Sequence, residues 1–113
     1  MIYSTRRYSY ESTTKKTEVL ELCVLSRLTC KDKYGYELTD AISQEMSIAA
    51  GTLYMILKRL KEAGYVETYL LESASGPARK YYHLTDAGKL YQQEKKQEWL
   101  DFIGQVNRLL SDC

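Results

Sequence analysis

Residues 51–60 carry side chains whose types and spacing suit contact with a nucleic acid. One apolar stripe recurs at the helical spacing i, i+3, i+4 and i+7, and consists of Leu53, Ile56, Leu57 and Leu60. The remaining faces of such a helix would carry hydroxyl, phenol and cationic groups: Thr52, Tyr54, Lys58 and Arg59. These groups contact phosphates and base edges in a DNA groove. An ordinary solvated surface helix has a similar composition, so the neighbouring elements must decide between the two interpretations.

Other chemistries find little support among the residue types of the chain. Its single histidine, His83, has no cysteine or carboxylate at a spacing diagnostic of a nucleophilic or metal site, and no Gly-rich phosphate loop is present. Cys23 and Cys30 are seven residues apart on one expected helix and cannot pair there, and Cys113 makes the cysteine count odd. We therefore expect reduced thiols, no cofactor or metal, and no enzymatic activity.

The 113 residues, with one Pro and six Gly, indicate a single folded domain. No apolar run approaches the roughly 18 residues of a membrane span, and the first ten residues lack the apolar centre of a signal peptide. A cytoplasmic protein without membrane contact is expected. The net charge of +1 neither indicates nor excludes a nucleic-acid partner, because binding follows local basic patches.

The pattern along the chain predicts three helices, a hairpin and a last helix. Residues 1–14 have no sustained period and are interpreted as a flexible basic arm carrying Arg6 and Arg7; whether it is disordered or touches DNA is left open. Helices are predicted over 15–30, 35–45 and 49–63, the third ending at Gly64. Residues 65–71 and 79–84 are rich in aromatic and β-branched side chains, which predicts a two-stranded hairpin with a loop over 72–78.

The last helix is predicted from a cap at Thr85 to Leu110, a length of about 37 Å. Its second half carries an apolar seam at spacings of three and four: Trp99, Phe102, Ile103, Val106, Leu109 and Leu110. So long a helix exceeds what this small domain can cover, and the first predicted helix is apolar on two faces. The seam therefore predicts a helix-mediated homodimer.

This order of elements is the layout of a winged helix-turn-helix protein, and several strings resemble the PadR family of transcriptional regulators. The matching strings are Tyr34-Gly35-Tyr36-Glu37-Leu38, Gly51-Thr52-Leu53-Tyr54, Leu57-Lys58-Arg59-Leu60 with Gly64, Gly76-Pro77-Ala78-Arg79-Lys80-Tyr81-Tyr82, and Leu84-Thr85 with Gly88. The short final helix is similar to that of the compact subgroup. One departure is Met55, where the family usually has Pro.

The resemblance implies a mainly α fold with a β-hairpin, divided into an arm (1–14), a winged helix-turn-helix domain (15–84, wing 65–84) and a dimerisation helix with its tail (85–113). It implies a homodimeric repressor that binds a pseudo-palindromic operator in double-stranded DNA. The candidate DNA-binding residues are Tyr36, Ser47, Thr52, Tyr54, Lys58, Arg59, Arg79 and Lys80. The candidate dimer residues are Leu20, Val24, Phe102, Ile103, Val106, Leu109 and Leu110.

The only tryptophan, Trp99, lies on this seam, and in some compact members of the family the matching tryptophan stacks on flat hydrophobic ligands. Trp99, Lys95 and Phe102 are therefore the candidate effector site for a small aromatic or charged molecule. A plain interface anchor without an effector is the alternative for Trp99. For the whole chain, the alternative to a DNA-binding regulator is a winged-helix protein-interaction module that does not bind DNA.

Overall fold

The computed structural model describes residues 4–112, and their side chains from Lys16 onward. Four helices and a small sheet follow in the order α1 (Ser4–Arg27), β1 (Lys33–Tyr34), α2 (Gly35–Glu45), α3 (Ala50–Glu62), β2 (Val66–Ser73), β3 (Gly76–Leu84) and α4 (Asp86–Leu110). Helices α2, α3 and α4 agree with the predicted segments to within a residue or so. The mainly helical fold with a wing is confirmed.

Helix α1 differs from the prediction at both ends. It begins at Ser4, not Lys15, because the stretch before Lys15 contains no Gly or Pro that would stop a helix from extending. It ends at Arg27, where Leu28 N–H and Thr29 N–H donate to the carbonyls of Leu25 and Ser26 in a tight last turn. Cys30 therefore lies beyond the helix. Residues 1–3 of the arm and the side chains of Arg6 and Arg7 lie outside the described part, so neither alternative for the arm, a disordered start or a DNA contact, is tested.

The wing is a three-stranded antiparallel sheet in the order β1-β3-β2, not a two-stranded hairpin. Strand β1 pairs Lys33 with Tyr82 and Tyr34 with Tyr81, and two residues are too few to produce a readable period. The predicted loop over 72–78 is shorter than expected, because β2 continues through Ser73 and pairs it with Gly76. Pro77 fits into β3 beside an irregularity of the β2 ladder, where the missing N–H costs little.

The core lies where α1, α2, α3 and the base of the wing meet. It is formed by aliphatic side chains of the three helices together with Val66, Tyr82 and Leu84 of the sheet. The predicted apolar stripe of α3 is fully buried there, with Leu53, Ile56, Leu57 and Leu60 each at most 2% exposed. Burial of side chains of this size stabilises a fold by roughly 2 kcal/mol each, which holds α3 firmly against the domain.

A hydrogen bond from the Thr85 side chain joins the end of α3 to the start of α4. Gly64 has a φ of 82°, the left-handed conformation that glycine favours, and ends α3 in a Schellman motif: Gly64 N–H donates to Lys61 and Tyr65 N–H donates to Leu60. Thr85 caps α4 by accepting from Gly88 N–H at 3.0 Å, and its own hydroxyl donates to the Gly64 carbonyl at 2.7 Å. The start of α4 is therefore fixed against the end of α3 at Gly64.

Candidate nucleic-acid interface

Helix α3 presents the polar residues that the sequence assigned to DNA contact. Thr52 and Lys58 are exposed, Tyr54 is half exposed, and Met55 beside them is 72% exposed. Ser47, just after α2, is exposed as well. A helix held by one buried stripe and free on the other faces has the shape that enters a major groove.

Tyr54 joins α3 to the start of α2. Its ring lies against Gly35, where an added Cβ would come within 3.3 Å of Cε1 and 3.4 Å of the hydroxyl oxygen. Tyr36, the next residue of α2, is 67% exposed, and its ring stacks against that of Tyr34 at 6.3 Å between centroids. Tyr54 therefore lies next to the residue that precedes Tyr36, although most of α2 separates Tyr36 and Tyr54 in the sequence.

Arg59 is placed differently from the other candidates on α3. Its Nε lies 3.8 Å from Oε2 of Glu21 in α1, and the Glu21 side chain is only 14% exposed while that of Arg59 is 56% exposed. Burial raises the pKa of Glu21, against the opposing influence of Arg59. Arg59 therefore already has an anionic partner within the protein, which sequence reasoning missed because the two residues lie on different helices.

The two cations of the wing point to opposite faces of the sheet. Arg79 pairs with Leu71 and Lys80 with Leu70 across the β2–β3 ladder, and successive residues of a strand alternate in direction. The guanidinium carbon of Arg79 lies 4.6 Å from the ring centroid of Tyr34, a cation–π contact. Arg79 is therefore held on the sheet face that leads to Tyr36, whereas Lys80 faces the other side of the wing.

The sheet face below Arg79 carries a row of tyrosines that sequence reasoning did not assign to the site. The Tyr81 ring lies 5.6 Å from that of Tyr34 and 5.6 Å from that of Tyr69, with its partners directly opposite in the register. Cross-strand aromatic pairs of this kind stabilise a sheet by up to about 1 kcal/mol each. The sequence did contain a signal for this face, because residues two apart on a strand point to the same side: Tyr69 with Leu71, and Arg79 with Tyr81.

Asp32, just before β1, binds side chains of β2 and β3 at the end of this tyrosine row. Asp32 accepts a hydrogen bond from the Tyr69 hydroxyl at 2.7 Å and contacts Nδ1 of His83 at 2.8 Å. Although partial burial acts to raise the pKa of Asp32, the bonds from Tyr69 and His83 outweigh it and lower the pKa below its ordinary value. The hydrogen bond between Tyr69 and Asp32 also raises the pKa of Tyr69.

A cleft between α1 and α4 gathers the candidate effector residues. It has a volume of about 150 Å³ and is lined by Glu18, Val19, Leu22, Lys95, Glu98, Trp99 and Phe102. Trp99 and Phe102 lie 6.1 Å apart between ring centroids, and Lys95 Nζ lies 3.5 Å from Oε1 of Glu98. Burial acts to lower the pKa of Lys95, but Tyr91 and the carboxylates of Glu98 and Glu18 outweigh it and raise the pKa. The cleft thus combines an aromatic wall with charges of both signs.

Much of the apolar seam of α4 is exposed. Phe102 is 43% exposed, Leu109 86% and Leu110 74%, while Ile103 and Val106 are half-buried. Leu20 and Val24, which the sequence assigned to the dimer contact, are 4% and 1% exposed and belong to the core of the chain itself, so their part in a dimer stays a prediction.

Helices α1, α2 and α3 pack around one core, α3 keeps an exposed face, and a wing follows it. These features define a winged helix-turn-helix protein. A model of the transcriptional regulator PadR-like family matches residues 24–94, and the chain belongs to this family. An uncharacterised protein from Lysinibacillus sphaericus is 35% identical to it over 86 residues, which cover 73% of this chain and 79% of the relative.

Solved structures agree with this assignment. A protein from Streptococcus mutans is similar with a TM-score of 0.79 and 36% identity, over 83% of this chain and 88% of that one. A PadR-like transcriptional regulator from Bacillus cereus has a TM-score of 0.77 and 36% identity, over 84% and 94%. A PadR family regulator from Clostridium difficile has a TM-score of 0.75 and 34% identity, over 81% and 98%. The expected family and winged-helix fold are confirmed, and within the described residues no helix is long and apolar enough to cross a membrane.

Proposed function

We propose that this regulator is a homodimeric repressor that binds a pseudo-palindromic operator in double-stranded DNA. The observation that carries the proposal is the exposed polar face of α3, with Thr52, Tyr54 and Lys58, beside Arg79 of the wing. Hydroxyl and cationic groups on a groove-sized helix supply base and phosphate contacts. Tyr36 at the start of α2 and Ser47 just beyond its end add donors, and Lys80 adds a cation from the other face of the wing.

The dimer is proposed from the uncovered seam of α4. An apolar stripe that includes Phe102, Leu109 and Leu110 is exposed along one helix, and a monomeric protein rarely leaves such a continuous surface in water. A second copy that packs α4 against the same region by two-fold symmetry would cover both stripes. Two α3 helices would then face half-sites about one helical turn apart, which gives the operator its two-fold character.

This assignment divides the chain by role. Residues 15–84 would bind DNA, and residues 85–113 would form the dimer. Protomers joined only through α4 would hold the two winged domains at a distance set by α4. Any change in α4 packing would therefore alter the spacing of the two α3 helices.

The cleft beside Trp99 would accept a small aromatic or charged effector that releases the repressor. Trp99 and Phe102 supply flat apolar area, and Lys95 and Glu98 can pair with either sign of charge. A ligand shifts an equilibrium only through different affinities for the two arrangements. The effector would have to bind more tightly when the two α3 helices are at the spacing that does not fit DNA.

The test is a gel shift against DNA from the protein's own upstream region at several salt concentrations. If Lys58, Arg59, Arg79 and Lys80 of both protomers each contact a phosphate, about eight contacts give a slope of log affinity against log salt near −7. Without Arg59, about six contacts would give a slope near −5. Lys58→Ala should flatten the slope by about two units per dimer, whereas Lys96→Ala on the exposed side of α4 should leave it unchanged.

Site-specific, salt-dependent shifts would support the regulator. No shift even at low salt would contradict DNA binding and favour the protein-interaction module. A shift of a monomeric protein would contradict the dimer alone, so the two parts of the proposal are tested separately.

A further inference from the structure

We propose that Glu21 is a positioning residue for DNA binding: it holds the Arg59 guanidinium against α1 and thereby restrains a cation of the recognition helix from reaching a phosphate. The proposal rests on the DNA-binding function put forward above. Glu21 touches no DNA itself. It acts through Arg59, whose Nε lies 3.8 Å from its carboxylate.

The two partners differ in how free they are. The Glu21 side chain is 14% exposed and sits on a helix that is anchored in the core, so its carboxylate stays where it is. The Arg59 side chain is 56% exposed and belongs to a long, flexible residue on the flank of α3. The Arg59 side chain can therefore move away from α1, whereas the Glu21 carboxylate cannot move with it. A phosphate of bound DNA would compete with this carboxylate for the guanidinium.

Position on the helix makes this competition specific to Arg59. At about 100° per residue, Arg59 and Thr52 share one flank of α3, while Lys58 points away from the buried stripe. Lys58 is thus directed toward a groove by its place on the helix, and Arg59 lies beside α1, where it can reach either the groove or Glu21. A carboxylate at this place weakens one phosphate contact per protomer without blocking the others.

Other charged groups act on the same carboxylate. Glu18 of α1 and Lys95 of α4 influence Glu21 electrostatically, and both line the cleft beside Trp99. Lys95 attracts the carboxylate that Arg59 also needs, and Glu18 repels it. The restraint on Arg59 is therefore set partly by the charges of the cleft.

The experiment measures the salt dependence of operator affinity for the wild type, Glu21→Gln, Arg59→Ala and the double variant. Glu21 weakens the Arg59 contact without abolishing it, so Glu21→Gln should steepen the slope of log affinity against log salt, by up to about two units per dimer, and tighten binding at low salt. In the Arg59→Ala background the same change should leave the slope where it is. Glu94→Gln removes an equal charge from an exposed site of α4 and should not steepen the slope.

A purely structural ion pair would change thermal stability but not the slope, so the two roles are separable. If Glu21→Gln fails to fold, Glu21→Met offers an apolar side chain of similar size for this nearly buried site and should steepen the slope equally. An unchanged slope in a folded Glu21 variant, or an equal steepening without Arg59 or in Glu94→Gln, would overturn the proposal. Absence of DNA binding by the wild type would instead refute the proposed function.

Discussion

The hydroxyl of Tyr69 in the wing donates a 2.7 Å hydrogen bond to Oδ2 of Asp32, a residue 37 positions earlier in the chain. The other oxygen of Asp32 contacts His83 on the neighbouring strand at 2.8 Å. One carboxylate therefore fastens β2 and β3 to the segment that leads into β1. This fixes the base of the sheet on which Arg79 is held over Tyr34.

Asp32→Asn should reduce the acid sensitivity of the fold. The pKa of Asp32 is lowered from its ordinary value of 3.8, so its carboxylate stabilises the folded state above that value. This contribution is lost as pH falls through the lower folded-state pKa. Between about pH 5 and pH 3, the melting temperature of the wild type should fall more steeply than that of Asp32→Asn. Asp112→Asn, the same change at an exposed site, should track the wild type; equal slopes for all three proteins would refute the role of Asp32.

Gly35→Ala should disturb the contact between α2 and α3. The new Cβ would lie 3.3 Å from the Tyr54 ring, so the ring has to move by a few tenths of an ångström. We expect a loss of roughly 1 kcal/mol in the free energy of unfolding, measured by urea denaturation. Gly51→Ala is the matched control, since its Cβ would meet nothing within 4 Å and Ala favours the helix by about 0.5–1 kcal/mol. Equal stabilities of the two variants would contradict the close packing.

Lys95→Gln should weaken operator binding only through Glu21. Lys95 and Arg59 both attract the Glu21 carboxylate. Without the Lys95 ammonium, Glu21 should bind Arg59 more tightly, and the slope of log affinity against log salt should flatten. In a Glu21→Gln background, Lys95→Gln should have no further effect on the slope. A flattening of the same size in both backgrounds would show that Lys95 contacts DNA itself.

Trp99→Ala should impair the effector response and spare the DNA contacts. Trp99 is the only tryptophan, so its fluorescence reports directly on the cleft. Titration with a panel of planar cationic and anionic dyes should quench the wild type, and the same dyes should release the operator in gel shifts. Trp99→Phe keeps an aromatic face and should retain part of the release. If Trp99→Ala still responds fully to a dye that releases the wild type, the cleft is not the sensor.

Val106→Glu should weaken the dimer. The residue lies in the middle of the α4 seam, where a charge would have to be buried against the partner helix. The dimer dissociation constant from analytical ultracentrifugation should rise at least about tenfold, equivalent to roughly 1.4 kcal/mol. Leu90→Glu is the control, because this 63% exposed residue lies on the opposite side of α4 at 100° per residue. Equal dimerisation by both variants would place the interface elsewhere.

The elements with a clear period were the ones that the sequence predicted well. The stripe of α3, the stop at Gly64 and the cap at Thr85 are local signals, and all three are present in the structure. Strand β1 is two residues long and exists only because β3 pairs with it. The partners Arg59–Glu21 and Tyr69–Asp32 depend on tertiary packing between distant segments, and no local pattern announces them.

Helix α1 shows the same limit of sequence-based prediction. Leu20 and Val24 have the apolar character of an interface, but the periodicity of a helix does not say which neighbour covers which face. The structure assigns both side chains to the core. The seam of α4 was readable because the helix extends beyond the body of a small domain.

Gln92 is nearly buried between α4 and α1, and its amide donates a 3.1 Å hydrogen bond to the hydroxyl of Ser26. Apolar surfaces tolerate a slide of one helix turn, whereas a paired amide and hydroxyl do not, so this bond selects one alignment of the two helices. The half of α4 beyond Gln92 is therefore not needed to align α4 with α1. Substitutions among the apolar residues of this half should therefore leave the position of α4 on α1 unchanged.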